Sequence, residues 1–321
     1  MLLLPIMLLS CKTGGEAEET QTVYYTVTFN SNGGSEIPSQ KVATGAKVNV
    51  PADPTYDNYV FREWTYNGKV WNFNSDTVSG DMTLTAQWIS ADRMFKYSSV
   101  ENTDTACITG FVSGYDDLPK NIVLPKIING LNVVAVGEGA FKNLSAEKVS
   151  SITLHENIVR VEKQAFDNCK DIAIKVKGAL TYVGTCAFGS CNLLTSVAFG
   201  EGLESIEPEA FIESGITGVI LPKSLKLIDE DAFKACSSLA VVAIHPFENG
   251  TGAVINNSAF RDCALKKVFF FGNDEEMTSL LERTASGNES FKNAKKSFYS
   301  EEKPTESGSF WRMVNGEPRE W

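Results

Sequence analysis

Long apolar runs, histidine and basic clusters are all scarce in this 321-residue chain. Beyond residue 9 no stretch approaches the roughly 20 consecutive apolar residues that a membrane-crossing helix needs. Lys and Arg number 29 against 40 Asp and Glu, a net charge of −11, and no cluster of basic residues offsets it. That balance argues against nucleic acid, and against a folded surface lying on anionic lipid. His155 and His245 are the only histidines. They stand several repeats apart, with no Ser, His and Asp grouping to join them, so nothing supports a hydrolase triad. Gly33-Gly34 lacks the spacing of a phosphate loop. With no constellation of nucleophile, base and orienting group, the chain is expected not to be an enzyme. Neither a metal nor a cofactor is expected.

What the chain does have is a phrase, [Val/Ile]-x-x-x-Ala-Phe, that ends at Phe141, Phe166, Phe188, Phe211, Phe233 and Phe260. Steps of 22 to 27 residues fall in the range where one supersecondary unit stacks on the next as a solenoid. Such a protein works by its surface, because repeats that bury one face against their neighbours leave a long modular wall. The expected strands run Val149–Leu154, Ile172–Val176, Ser196–Phe199, Gly218–Leu221, Val241–Ile244 and Lys266–Phe271, each with alternate residues facing inward. Stacked in parallel at roughly 4.8 Å, about seven coils span some 30 Å.

The first residues point to export. Met1 to Leu9 is apolar but too short to span a bilayer, and it ends at Leu8-Leu9-Ser10-Cys11 before Lys12. Residues 1–10 read as a lipoprotein signal peptide, although no Lys or Arg precedes the apolar run. Cys11 is the expected site of lipidation, and several acyl chains at about 0.8 kcal/mol per buried methylene make a permanent anchor. Residues 11–22, rich in Gly, Glu and Thr, read as a flexible tether.

Residues 23–90 read as a compact strand-rich module. Tyr25-Thr26-Val27-Thr28-Phe29 alternates as a strand, and Asn30 to Ser35 supplies a turn. Phe61-Arg62-Glu63-Trp64 and Met82 to Trp88 add further strands. The order VTFNSNGG, P..PTYDNYVFREW and LTAQW resembles the Listeria–Bacteroides repeat, also called the internalin B-repeat type. The resemblance implies a small β-grasp domain used as a spacer or auxiliary binder. Trp64, Trp71 and Trp88 are expected to form a core cluster rather than a sugar platform.

Residues 94–271 carry the repeats, and 272–321 read as a C-terminal capping segment. Units such as IVLPKIINGLNVVAVGEGAF and VILPKSLKLIDEDAF, with a closing stretch from Tyr299 to Trp321, resemble leucine-rich repeats of the BspA type. The resemblance implies a surface or secreted bacterial protein that adheres to matrix proteins, receptors or other cells. The expected fold is mixed α/β and mainly β: the β-grasp module, then a solenoid with a parallel strand sheet and short helical turns.

Cys169, Cys191, Cys236 and Cys263 each follow a repeat Phe by three residues. A ladder spreads such ligands one coil apart, so buried free thiols are expected rather than a metal site. Export also permits a disulfide between Cys169 and Cys191 on neighbouring coils. Cys107 and Cys186 have no evident partner. Glu207, Glu209, Asp229, Glu230 and Asp231 read as turn capping and solubility, with weak calcium binding as the alternative.

The candidate contact residues lie on the outward strand face. If Val219 and Leu221 point inward, then Ile220 points out, and the same register exposes Ala243, Phe269 and Phe271 with Val241 beside them. Thr153, Lys175 and Ala198 hold the equivalent places in earlier coils. The face thus turns apolar toward the C-terminus, as contact sites do. The alternative is that the C-terminal segment, with Phe298, Phe310 and Trp311, covers it. The expected function is a lipid-anchored surface adhesin that contacts a host or neighbouring-cell surface protein, or a matrix protein. Glycan binding on an open Phe269, Phe271 and Trp311 platform is a second reading, and an architectural, self-associating envelope protein a third.

Overall fold

The computed structural model describes residues 22–246, 254–304 and 308–321. The expected leader, the tether up to residue 21, and Cys11 lie outside the described residues. β1 (Tyr24–Asn30), β2 (Gln40–Ala43), β3 (Tyr59–Tyr66), β4 (Lys69–Val70) and β5 (Met82–Ser90) form one sheet in the order β2-β1-β5-β3-β4. β1 and β5 pair in parallel at its centre, with Val27 opposite Met82; the other pairs are antiparallel. Alternation sends Val27, Phe29, Leu84 and Ala86 into one core with Trp64. Phe29 meets Trp64 edge-on at 5.1 Å, and Trp71 and Trp88 pack at the margin. The Trp88 indole donates to Ser31 O at 3.0 Å, which ties down the turn after β1.

β5 runs directly into α1 (Ala91–Met94), β6 (Phe95–Ser99) and β7 (Thr105–Phe111). Val60 and Ile89 of the first module share a buried cluster with Met94, Phe95 and Ile108, so the two parts are packed as one body. Asn58, at φ +67°, clasps the junction. Its N–H donates to Ile127 O, its carbonyl accepts from Ala91 N and its Oδ1 accepts from Gly130 N. Asparagine enters the left-handed region more readily than most residues. Arg62 adds a two-pronged pair to Asp117, at 2.5 and 3.0 Å.

The coils then contribute β8 (Asn121–Val123), β9 (Ile127–Ile128), β10 (Leu131–Val136), β11 (Ser151–Leu154), β12 (Arg160–Val161), β13 (Ala173–Val176), β14 (Ala179–Leu180), β15 (Tyr182–Val183), β16 (Ala198–Phe199), β17 (Ser205–Ile206), β18 (Gly218–Ile220), β19 (Leu227–Ile228), β20 (Val241–Ile244), β21 (Val254–Ile255) and β22 (Lys267–Phe270). A major parallel ladder joins β8, β11 and β13, and resumes as β18, β20 and β22. A minor ladder joins β7, β10, β12 and β15, and resumes as β17, β19 and β21.

The third side of each coil explains the repeated phrase. Each of the first five repeat Phe N–H groups donates to the Ala carbonyl of the next coil: Phe141 to Ala165, Phe166 to Ala187, Phe188 to Ala210, Phe211 to Ala232 and Phe233 to Ala259, at 2.8 to 2.9 Å. Alanine lets the two backbones approach, phenylalanine fills the core, and the Val or Ile five residues earlier is the buried residue of the minor ladder. The rings from Phe141 to Phe260 stack at 5.2 to 5.6 Å with their planes within 25°. The residue before each Ala, including Gln164, Glu209 and Asp231, is left-handed, which makes these connections tight turns.

α2 (Asp274–Arg283), α3 (Glu289–Asn293), β23 (Lys295–Tyr299), β24 (Phe310–Val314) and β25 (Glu317–Glu320) close the stack. Asn273 and Glu276 form a reciprocal capping box that starts α2. Phe291 adds a further ring, 5.2 Å from Phe260, without the repeat phrase around it. Asn288 substitutes for the missing next coil. Its buried side chain accepts from Phe260 N at 2.9 Å and donates to Asn256 O and Ala285 O. β23 extends the major ladder in parallel, and β24 and β25 form a hairpin beyond it.

Candidate binding surface

Val219, Val242 and Val268 are buried in the core, so the residues alternating with them line the outer face of the major ladder. The register aligns Ile220, Ala243, Phe269 and Ser297 in one row, and Gly218, Val241, Lys267 and Lys295 in the next. In the early coils the first row continues as Val123, Thr153 and Lys175. Ala198 departs from it, because β16 pairs with β14, placing Ala198 opposite Ala179. The ladder is interrupted between β13 and β18.

Both ends of this face are covered. Thr153 is buried although it points outward; β3 lies against β8, and Phe61, Val123 and Leu124 share the walls of one cavity. At the other end Trp311 is fully buried over the last strands. Its ring lies 5.1 Å from Phe269, 4.6 Å from Phe271 and 5.2 Å from Tyr299, and its indole N–H donates to Phe270 O at 3.1 Å. The hairpin is pinned by Glu320, which pairs with Lys267 at 2.7 Å and Lys295 at 3.4 Å. The hydrogen bond from Lys267 holds the Glu320 carboxyl below its ordinary range.

These contacts correct the expectation of an open apolar face. Ala243 and Phe269 are buried beneath Trp311, and Phe271 is half-buried between Trp311 and the His245 ring, which stacks on it at 3.7 Å. The Phe269, Phe271 and Trp311 platform proposed for a glycan is therefore closed. Ile220 and Val241 stay half-exposed. They line a groove of about 780 Å³ with Val176 and Phe199 from the coils and Met313 and Pro318 from the hairpin. Its remaining lining includes the exposed Ser196, Ala198 and Thr217. The groove lies where the ladder is broken, and its walls are apolar or uncharged over most of their length.

The six cysteines among the described residues are free thiols. Cys169, Cys191, Cys236 and Cys263 each donate Sγ–H to the carbonyl of a repeat Phe in the preceding coil, respectively Phe141, Phe166, Phe211 and Phe233, at 3.0 to 3.2 Å. Burial pushes Cys169 and Cys263 up to about 12 and Cys236 to about 11, which keeps them protonated and unreactive. Cys186 is half-buried, and burial, reinforced by Glu209 at 3.4 Å, raises it to about 11.

His155 is a buried structural group. Its Nδ1 accepts from Asn157 N, so Nε2 carries the proton and donates to Pro125 O, both at 3.2 Å. Burial lowers its pKa to about 4. Burial likewise lowers His245. The acidic residues have local partners: Glu207 accepts from Ser205, Asp229 from Glu230 N and Asn256, and Asp231 pairs with Lys234. Among the described residues no group of three His, Cys, Asp or Glu side chains is arranged to hold a metal.

Parallel coils around a continuous ring stack define a leucine-rich-repeat solenoid. The chain belongs to the BspA type leucine rich repeat family, whose model matches residues 119–240 and 173–296 in six copies and so spans more than half of the sequence. The Listeria-Bacteroides repeat domain model matches residues 25–87. Two proteins of Evansella cellulosilytica, described as a Gly-rich membrane protein and a membrane protein, are 40% and 36% identical over 67 residues. The match covers 20% of this chain but only 8% and 10% of theirs, so the chain spans a small fraction of the relatives it matches. Similar solved structures include a T. pallidum leucine rich repeat protein (23% identity, TM-score 0.41, 59% of this chain and 92% of that one). A leucine-rich repeat protein from Bacteroides ovatus follows (14%, 0.39, 64% and 69%). A leucine rich cell surface protein from Faecalibacterium prausnitzii is a third (17%, 0.32, 60% and 71%). BspA-type proteins are typically surface-associated, and both matched families are repeat or binding modules.

Proposed function

We propose that the chain is a lipid-anchored bacterial surface adhesin that grips a host, matrix or neighbouring-cell protein in the groove between β13 and the C-terminal hairpin. The observation that carries this reading is the contrast along one strand face. Its two ends are covered by the protein's own segments, while Phe199, Ile220 and Val241 stay accessible in the middle. Partly exposed apolar side chains around a groove are a common mark of a protein contact site. Cys11, following Leu8-Leu9-Ser10, would hold the chain at the membrane surface through its lipid.

The test is binding of the chain to an array of extracellular-matrix proteins, beside an Ile220→Asp variant whose fold is checked by circular dichroism. Ile220 is the diagnostic position because it stays half-exposed on the groove wall, whereas Phe269 is buried under Trp311. A specific hit lost in the folded variant supports the groove; undiminished binding overturns it. Cys11→Ser should move the protein from the membrane fraction to the soluble one.

A further inference from the structure

A second cavity, of about 190 Å³, lies at the junction of the first module and the early coils and shares no lining residue with the groove. Tyr56 and Tyr59 line it, each 37% exposed, with their rings stacked at 4.6 Å and 19°. This pair is held in place. Tyr59 N donates to Tyr56 O across the tight turn that contains left-handed Asn58. Tyr56 also meets Trp88 edge-on at 5.4 Å and lies so close over Gly33 that a Cβ there would stand 3.0 Å from its ring. Two tyrosines fixed at this exposure serve no core, and tyrosine presents an apolar ring and a polar tip together.

The polar groups of the cavity carry both signs. Lys126 is paired with Glu156 at 2.5 Å, Asp57 lies on the same wall, and Lys177 makes no ion pair among the described residues. Lys126 holds the Glu156 carboxyl down to about 2, so it is an acceptor at any ordinary pH. A charged ligand of either sign meets a like charge here. A neutral polyhydroxyl ring does not: its hydroxyls accept from ammonium groups and donate to carboxylates, while its C–H face lies on an aromatic ring. We infer that this cavity is a binding site for one neutral sugar residue, stacked on the Tyr56–Tyr59 pair and hydrogen-bonded by Lys177 and Glu156. The site is independent of the groove and adds a saccharide contact to a protein contact.

The experiment is saturation-transfer NMR on the full-length chain with neutral hexoses, N-acetylhexosamines and their disaccharides, with uronic acids as the charged comparison. At least one neutral sugar is expected to show transfer to its ring protons. Tyr59→Ala should weaken it about tenfold or more, an affinity change of about 1.4 kcal/mol. Lys177→Ala should weaken it several-fold, and both variants should keep their circular dichroism and their matrix-protein binding. No transfer from any neutral sugar at about 10 mM, well above a roughly millimolar Kd, overturns the site. So does transfer that survives unchanged in folded Tyr59→Ala, or tighter binding of uronic acids than of neutral sugars.

Discussion

The outer face of the major ladder is covered at both ends, but by different chemistry. At the N-terminal end the first module meets the coils through polar clasps around a shared apolar patch: Asn58 to three backbone groups, and Arg62 to Asp117. That junction leaves a cavity. At the C-terminal end one indole fills the space, seated on Phe269 and Phe271 and bonded to Phe270 O. The difference shows that a row of outward side chains is not a site by virtue of its register alone. Whether it becomes core or contact surface depends on how far each terminal segment reaches, and the middle coils lie beyond both.

The contrast breaks most sharply at Trp311. Trp311→Ala should destabilise the chain by about 3–5 kcal/mol in urea unfolding, the range for deleting a large buried aromatic. The same variant should also expose Phe269, read as increased binding of a hydrophobic dye. The N-terminal end responds to acid through His155. Its folded pKa of about 4 lies below the ordinary value of about 6.5, so the unfolded chain takes up a proton that the folded chain refuses. Stability present above about pH 6.5 is thus lost as pH falls toward 4, by up to roughly 3 kcal/mol from this one group. Urea midpoints at pH 7 and 4.5 should fall further for the native chain than for His155→Gln. Asn288→Ala leaves Phe260 N–H and two carbonyls unpaired at the stack's end and should cost about 1–3 kcal/mol. Asn288→Asp, which keeps the acceptor but turns a buried carboxyl oxygen onto the Asn256 and Ala285 carbonyls, should cost at least as much. The smallest effect belongs to the exposed clasp: Arg62→Ala should cost about 0.2–1 kcal/mol and less in high salt.

Much of the repeated interior was legible because its spacing is repeated. The Phe positions gave the ring stack, and the Cys positions gave a ladder of free thiols, buried at Cys169, Cys191 and Cys236 and half-buried at Cys263, whose acceptor carbonyls follow from the same turns. Interior rows depend on local period, which a linear pattern carries. The outer face depended on contacts between distant segments. Ala243 and Phe269 alternate as outward residues should, yet nothing near them in the chain states that Trp311 will cover them. The break at β16 was not legible either: Ser196–Phe199 looks like the strands of its neighbours, and only the structure shows Ala198 opposite Ala179 instead of in the major ladder. Phe291 and Asn288 escaped the pattern because Ser290 stands where the repeat has Ala, and a side-chain amide does the work of a neighbouring backbone.

Hydroxyl-radical footprinting of the free protein, read by mass spectrometry at individual aromatic residues, tests the covered-ends, open-middle arrangement most directly. Trp321, 36% exposed, is the internal reference for Trp311, which is fully buried. The arrangement predicts that Trp321 and Phe199 are oxidised many times faster than Trp311 and Phe269, with Tyr56 and Tyr59 also modified. Oxidation of Trp311 at the rate of Trp321 would contradict it, because the C-terminal face would then be open and the groove would have no distinct place along the ladder.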